Sequence, residues 1–214
     1  MWMRMPGQTW TYAGASFLGM WVAMMVAMML PSLVPMLRRY RRMIADASTA
    51  RAARLTALVS MAYFLVWTVL GAIVFPLGVA LAELQMRLPT FARVAPIAIG
   101  AAVLLAGFVQ LSPWKSHHLA LCRDAAGSEC ALPGEVRTAW RHGLQLGAHC
   151  SRSCAGLMAV MLVLGVMDVR VMAAVTTAIT AERLAPGGAR AARAVGMIVV
   201  ATGLVQLARA AGLG

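Results

Sequence analysis

Apolar runs of about 20 residues recur along this chain, and its Lys and Arg residues are largely confined between them. A segment of that length crosses the hydrocarbon of a bilayer only as a helix, which satisfies its own backbone polar groups, or as part of a closed barrel. The runs are continuous and lack the alternation of barrel strands. Hydrophobic residues make up 61% of the chain and charged residues 12%, and the mean hydropathy of +0.78 lies far above that of an ordinary soluble domain. The expectation is an all-α, polytopic transmembrane helix bundle of about six spans in a single domain, 1–214. The spans are placed at 12–37, 55–81, 94–111, 142–167, 171–184 and 194–211, with a cytoplasmic loop at 112–141. Met1 to Tyr12 lacks a positive n-region and a clear cleavage site, so the first run is kept as a span. Pro31 and Pro35 are expected to kink or end it.

A net charge of +12 on a soluble protein would suggest a nucleic-acid partner. Here the cations sit between spans, where they set orientation, and no nucleic acid is implied. Arg38, Arg39, Arg41, Arg42, Arg51 and Arg54 crowd the first connection and mark it as cytoplasmic, which puts the amino terminus outside. On this topology thirteen of the nineteen Lys and Arg lie in cytoplasmic segments and five outside, with Arg152 within the fourth span. The expected location is a bacterial inner membrane, crossed several times. The fifth span is short, and local thinning of the bilayer or snorkelling of Glu182 and Arg183 is expected to absorb the mismatch. Lys115 and Arg123 are within reach of lipid headgroups.

The four Cys have no disulfide-like framework. Cys150 and Cys154 are four residues apart and share one helical face, with His149 beside them. His118 and Cys122 form another such pair. In the first span Met24 and Met28 share one face, and Met25 and Met29 the next. The topology brings Met28, His118, Cys122, His149, Cys150, Cys154, Gln110, Lys115 and Glu182 to one level at the cytoplasmic boundary. A metal set of Cys150, Cys154, His149, His118, Cys122, Met24, Met28 and Glu182 follows. Thiolate, imidazole and thioether together favour Cu(I) or Zn, and seventeen Met tilt the choice to copper. Each group also has a plainer role: Met fills gaps between helices, buried Cys acts as a small hydrophobe, His117 is solvated, and Cys130 is structural or incidental. Arg152, inside a span, must snorkel, face a polar cavity or pair with a carboxylate, and if it faced the site it would favour thiolates.

At these residues the chain resembles, over nearly its whole length, a bacterial family of predicted metal-binding integral membrane proteins, a domain of unknown function. The resemblance rests on three segments. A Trp-x-x-Met-Met-x-Ala-Met-Met-x-Pro stretch is matched from Trp21 to Pro31. A Gln-x-x-Pro-x-Lys segment leading to Cys-Arg is matched by Gln110, Pro113, Lys115, Cys122 and Arg123. A Gly-x-x-Cys-x-x-Cys-Cys-Trp-x-Leu-Met segment is matched at Gly147, Cys150, Cys154, Leu157 and Met158. His118 stands where the family often has Cys, Ser153 replaces one adjacent cysteine, Arg152 a usual Gly and Ala155 the usual Trp. The resemblance implies metal binding and supplies no reaction.

The function expected is the handling of a soft metal, copper before zinc, in transport, storage or delivery to a membrane enzyme. Its partners would be the bilayer, a metal donor or acceptor protein, or a larger membrane complex. Spans two, three and six have few polar or thioether groups, which favours a one-sided storage or delivery site over a channel. The alternatives are a membrane redox enzyme, with Glu182, Asp168 and His149 as the available bases, and a metal-free structural or assembly subunit.

Overall fold

A computed structural model describes residues 7, 9–44, 48–125, 135–166 and 168–212, with backbone alone at 89–93 and 122–125. The described residues form seven helices and no strand: α1 (Trp10–Met43), α2 (Thr49–Arg87), α3 (Pro89–Leu111), α4 (Pro113–Ala125), α5 (Val136–Leu164), α6 (Val169–Leu184) and α7 (Gly188–Ala210). Five of them are long and apolar enough to cross a membrane: α1, α2, α3 from Val94 to Leu111, α5 and α7. The expected fifth span corresponds to α6, whose 16 residues fall short of that length.

Several expected boundaries move outward. Pro31 and Pro35 lie inside α1, which continues to Met43 and carries Arg38, Arg39, Arg41 and Arg42 on its last turns. An internal proline costs a helix one backbone bond, and the buried face that runs through Met28, Met29, Ser32, Leu33 and Met36 past both prolines offsets that loss. The external loop expected at Glu83 to Arg93 is mostly helix, because α2 runs to Arg87 and α3 begins at Pro89. Glu83 and Arg87 are 3.8 Å apart at i,i+4 spacing. The cytoplasmic loop expected at 112–141 contains α4 and the first turns of α5. Its Gly127, Cys130, Pro133 and Gly134 lie outside the described residues.

Small residues set the helix spacing. On α5, a Cβ at Gly143 would lie 2.5 Å from the Val59 carbonyl oxygen, and one at Gly147 would lie 3.1 Å from the Tyr63 carbonyl oxygen. Two glycines one turn apart thus let α2 come backbone-close to α5. α3 and α7 pack antiparallel by the same device, with Gly100 against Leu207, Leu104 against Gly203, Gly107 against Val200 and Leu111 against Gly196. The indole nitrogen of Trp21 donates to the Trp67 carbonyl at 2.9 Å, and its ring fills the space that a side chain at Gly71 would take. The main core joins Trp21, Met24, Met25, Met28 and Met29 of α1 to Tyr63 and Trp67 of α2, Cys150, Cys154, Met158 and Met161 of α5, and Ile179 of α6. Leu65, Val69, Ile73, Leu77 and Leu81 form an exposed apolar stripe on α2 at four-residue spacing.

Candidate metal centre

Cys150 and Cys154 point inward and are buried, at 0% and 2% exposure. The Gly143/Gly147 contact puts α2 close enough for the Tyr63 hydroxyl to lie 2.7 Å from Cys150 Sγ. The second partner is Arg183, near the carboxyl end of α6. Its Nη2 donates to Cys150 Sγ at 2.8 Å, to Cys154 Sγ at 3.0 Å, to Ser153 Oγ at 3.2 Å and to the Cys150 carbonyl at 3.3 Å. Its Nη1 reaches Ser32 Oγ of α1 at 3.3 Å. Ser32 in turn donates to the Met29 carbonyl at 3.0 Å, so the thioether stretch of α1 enters at the same level. The guanidinium thus places a fixed positive charge against both sulfurs.

Beside this cluster lies a buried ion pair. Lys115 Nζ of α4 is 2.8 Å from Glu182 Oε2, with side-chain exposures of 3% and 2%. Gln110 of α3 donates to the other Glu182 oxygen, and Lys115 also donates to the Ser153 carbonyl. Both oxygens of Glu182 are thus engaged by Gln110 and Lys115. Three residues of the family segments, Gln110, Lys115 and Cys154, gather around one stretch of α5.

Several expectations are corrected here. Glu182 and Arg183 do not snorkel: they are 2% and 5% exposed and turn into the bundle, where carboxylate and guanidinium each find compensating partners. Lys115 does not reach headgroups, because Glu182 draws it inward. Arg152, the candidate cation for the thiols, is exposed, and Arg183 takes that position instead. Arg183 could have been found from spacing, since it continues the buried Val175, Ile179 row of α6 at i+4 and i+8. Tyr63, Ser32 and Ser153 left no comparable signal.

Met24 and Met28 are buried with Met25 and Met29 in the core that contains both thiols. His118 and His149 are half-buried, and the Nδ1 of each is enclosed with no hydrogen-bond partner. Burial, then the neighbouring His117, Arg152 and His149, hold the His118 imidazole below the ordinary value of 6.5. The Cys122 side chain lies outside the described residues. Among the described residues no three of His, Cys, Asp and Glu converge as a metal-ligand group. The buried set is therefore two sulfurs and their thioether surroundings. Among the described residues that composition fits a soft ion of low coordination number.

No curated protein and no solved structure matches the chain. The family model described as PpoB2, copper chaperone, matches residues 18–206, which include the α1 methionine stretch, both cysteines and Arg183. With a match over most of its length, this chain belongs to the PpoB2 copper chaperone family.

Proposed function

We propose that the protein is an integral membrane copper chaperone that holds Cu(I) between Cys150 and Cys154 and passes it to a partner protein. The observation that carries this reading is the pair of buried sulfurs sharing one guanidinium, at 2.8 and 3.0 Å. Two thiolates in an apolar core with Met24 and Met28 make a soft site of the kind that Cu(I) occupies. The family supports copper as the cargo. Five apolar helices and the lipid-compatible stripe on α2 support residence in a membrane. Delivery is favoured over conduction because α2, α3 and α7 contribute few polar groups from which a path could be built. His118 of α4 and His149 of α5, which lie close enough to interact, are suited to receiving the ion before it reaches the sulfurs.

Metal analysis of the detergent-purified chain after loading with Cu(I) tests this. The wild type is expected to retain one copper per chain, and the Cys150→Ser, Cys154→Ser double variant to retain none while its helical content is unchanged. Equal copper in both would sink the proposal.

A further inference from the structure

Arg183 brings a fixed positive charge into contact with both sulfurs, and this has a consequence for which ions the pair accepts. As metal ligands the two sulfurs are deprotonated, so together with the guanidinium in contact with both they form a unit of net charge minus one. The neighbouring Lys115 and Glu182 cancel each other and leave that sum unchanged. We infer that Arg183 is a specificity-determining residue that makes the Cys150/Cys154 site selective for monovalent over divalent soft cations. This inference rests on the copper site proposed above.

A monovalent ion brings the unit to neutrality. A divalent ion leaves one uncompensated positive charge in a core where Cys150, Cys154, Ser153 and Ser32 are almost fully excluded from solvent. The guanidinium repels a divalent ion twice as strongly as a monovalent one. The difference is one unit-charge interaction, which at about 4 Å and an effective dielectric of roughly 20 amounts to about a thousandfold in relative affinity. Hydrogen bonds from Nη2 add to this discrimination by placement: they hold the charge against the sulfurs, where a flexible cation at greater distance would be screened. Thiolate softness alone gives no such preference, since Cd(II) and Zn(II) are also thiolate-loving ions.

The test uses Ag(I), a redox-stable monovalent probe, against Cd(II), by competition with chelators on the full chain in detergent. Arg183→Met removes the charge at similar length, and Arg183→Lys retains it. The ratio of Ag(I) to Cd(II) affinity is expected to fall by about a thousandfold in Arg183→Met and by much less in Arg183→Lys. An unchanged ratio in Arg183→Met, with Ag(I) still bound through both cysteines, overturns the inference and leaves the copper site standing. Ag(I) binding that is absent from the wild type, or that survives Cys150→Ser with Cys154→Ser, overturns both. Should Arg183→Met fail to fold, the wild-type ratio is set against that of a Cys-x-x-x-Cys peptide in the same detergent. A wild-type ratio no higher than the peptide's also overturns the inference.

Discussion

Arg183 and Tyr63 approach Cys150 from different helices, one with a full charge and the other with a hydroxyl at 2.7 Å. The hydroxyl has no competing water in this core, so its bond to the sulfur counts for more than a surface hydrogen bond. A hydrogen bond to a charged partner contributes about 1.5–3 kcal/mol. Tyr63→Phe removes the bond and keeps the ring. We expect Cu(I) affinity to drop by about tenfold or more, with the fold intact, as read by chelator competition alongside circular dichroism. An affinity equal to that of the wild type would show that the hydroxyl only packs. At this scale the sequence was legible in part. The four-residue spacing of Cys150 and Cys154 and the run of Met24, Met25, Met28 and Met29 pointed to a shared inner face. The sequence offers Arg152 as a cation for the thiols only on the condition that it faces them, because a charge in mid-span is conspicuous and one at a helix end, such as Arg183, can always be imagined in headgroups. Burial depends on the partner across the gap, and Ser32 is 151 residues from Arg183 in sequence.

Among the elements, α4 is the least apolar, yet its Lys115 fastens it to α6 through Glu182 and to α5 through the Ser153 carbonyl. Breaking a buried pair by removing one partner costs about 3–5 kcal/mol, because the other charge is left unpaired in the interior. Lys115→Met should therefore lower the unfolding free energy in detergent by about that amount. Lys115→Met combined with Glu182→Gln should recover much of it, since Gln110 can still bond an uncharged amide. Additive losses in the double variant would show that the two groups act independently. The helices themselves were readable from continuous apolar runs, whereas their ends were not. The Arg-rich stretch after Leu37 and the stretch from Glu83 to Arg87, which suggested connections, are outer turns of α1 and α2. Charge marks where a bilayer ends and says little about where hydrogen-bonded turns stop.

Across the whole molecule, α3 ends at Leu111 and α6 at Leu184, and their last turns carry Gln110, Glu182 and Arg183. α1, α2 and α5 continue past that level, to Met43, back to Thr49 and back to Val136. The arginines of the α1–α2 connection lie on this projecting end, which the positive-inside bias assigns to the cytoplasm. A protease site inserted at 44–48 should accordingly be cut from the cytoplasmic face of inverted vesicles and be protected in right-side-out ones. The opposite pattern would invert the proposed topology and move the copper site to the other leaflet. The bundle class followed from composition and run length, because a bilayer leaves a chain few alternatives. Whether α6 crosses was not legible, since 16 residues make only about 24 Å of helix.

The shortness of α6 bears on how an ion would come and go. Were the bundle seated in a bilayer as proposed, a helix of about 24 Å would be outreached by hydrocarbon of about 30 Å, and its terminal turn would stop beneath one surface. On the proposed reading, cargo held by the sulfurs beside that turn is sheltered from water yet shallow. A docking protein could lift it out from the side by which it arrived, and the greater part of the membrane would never be traversed.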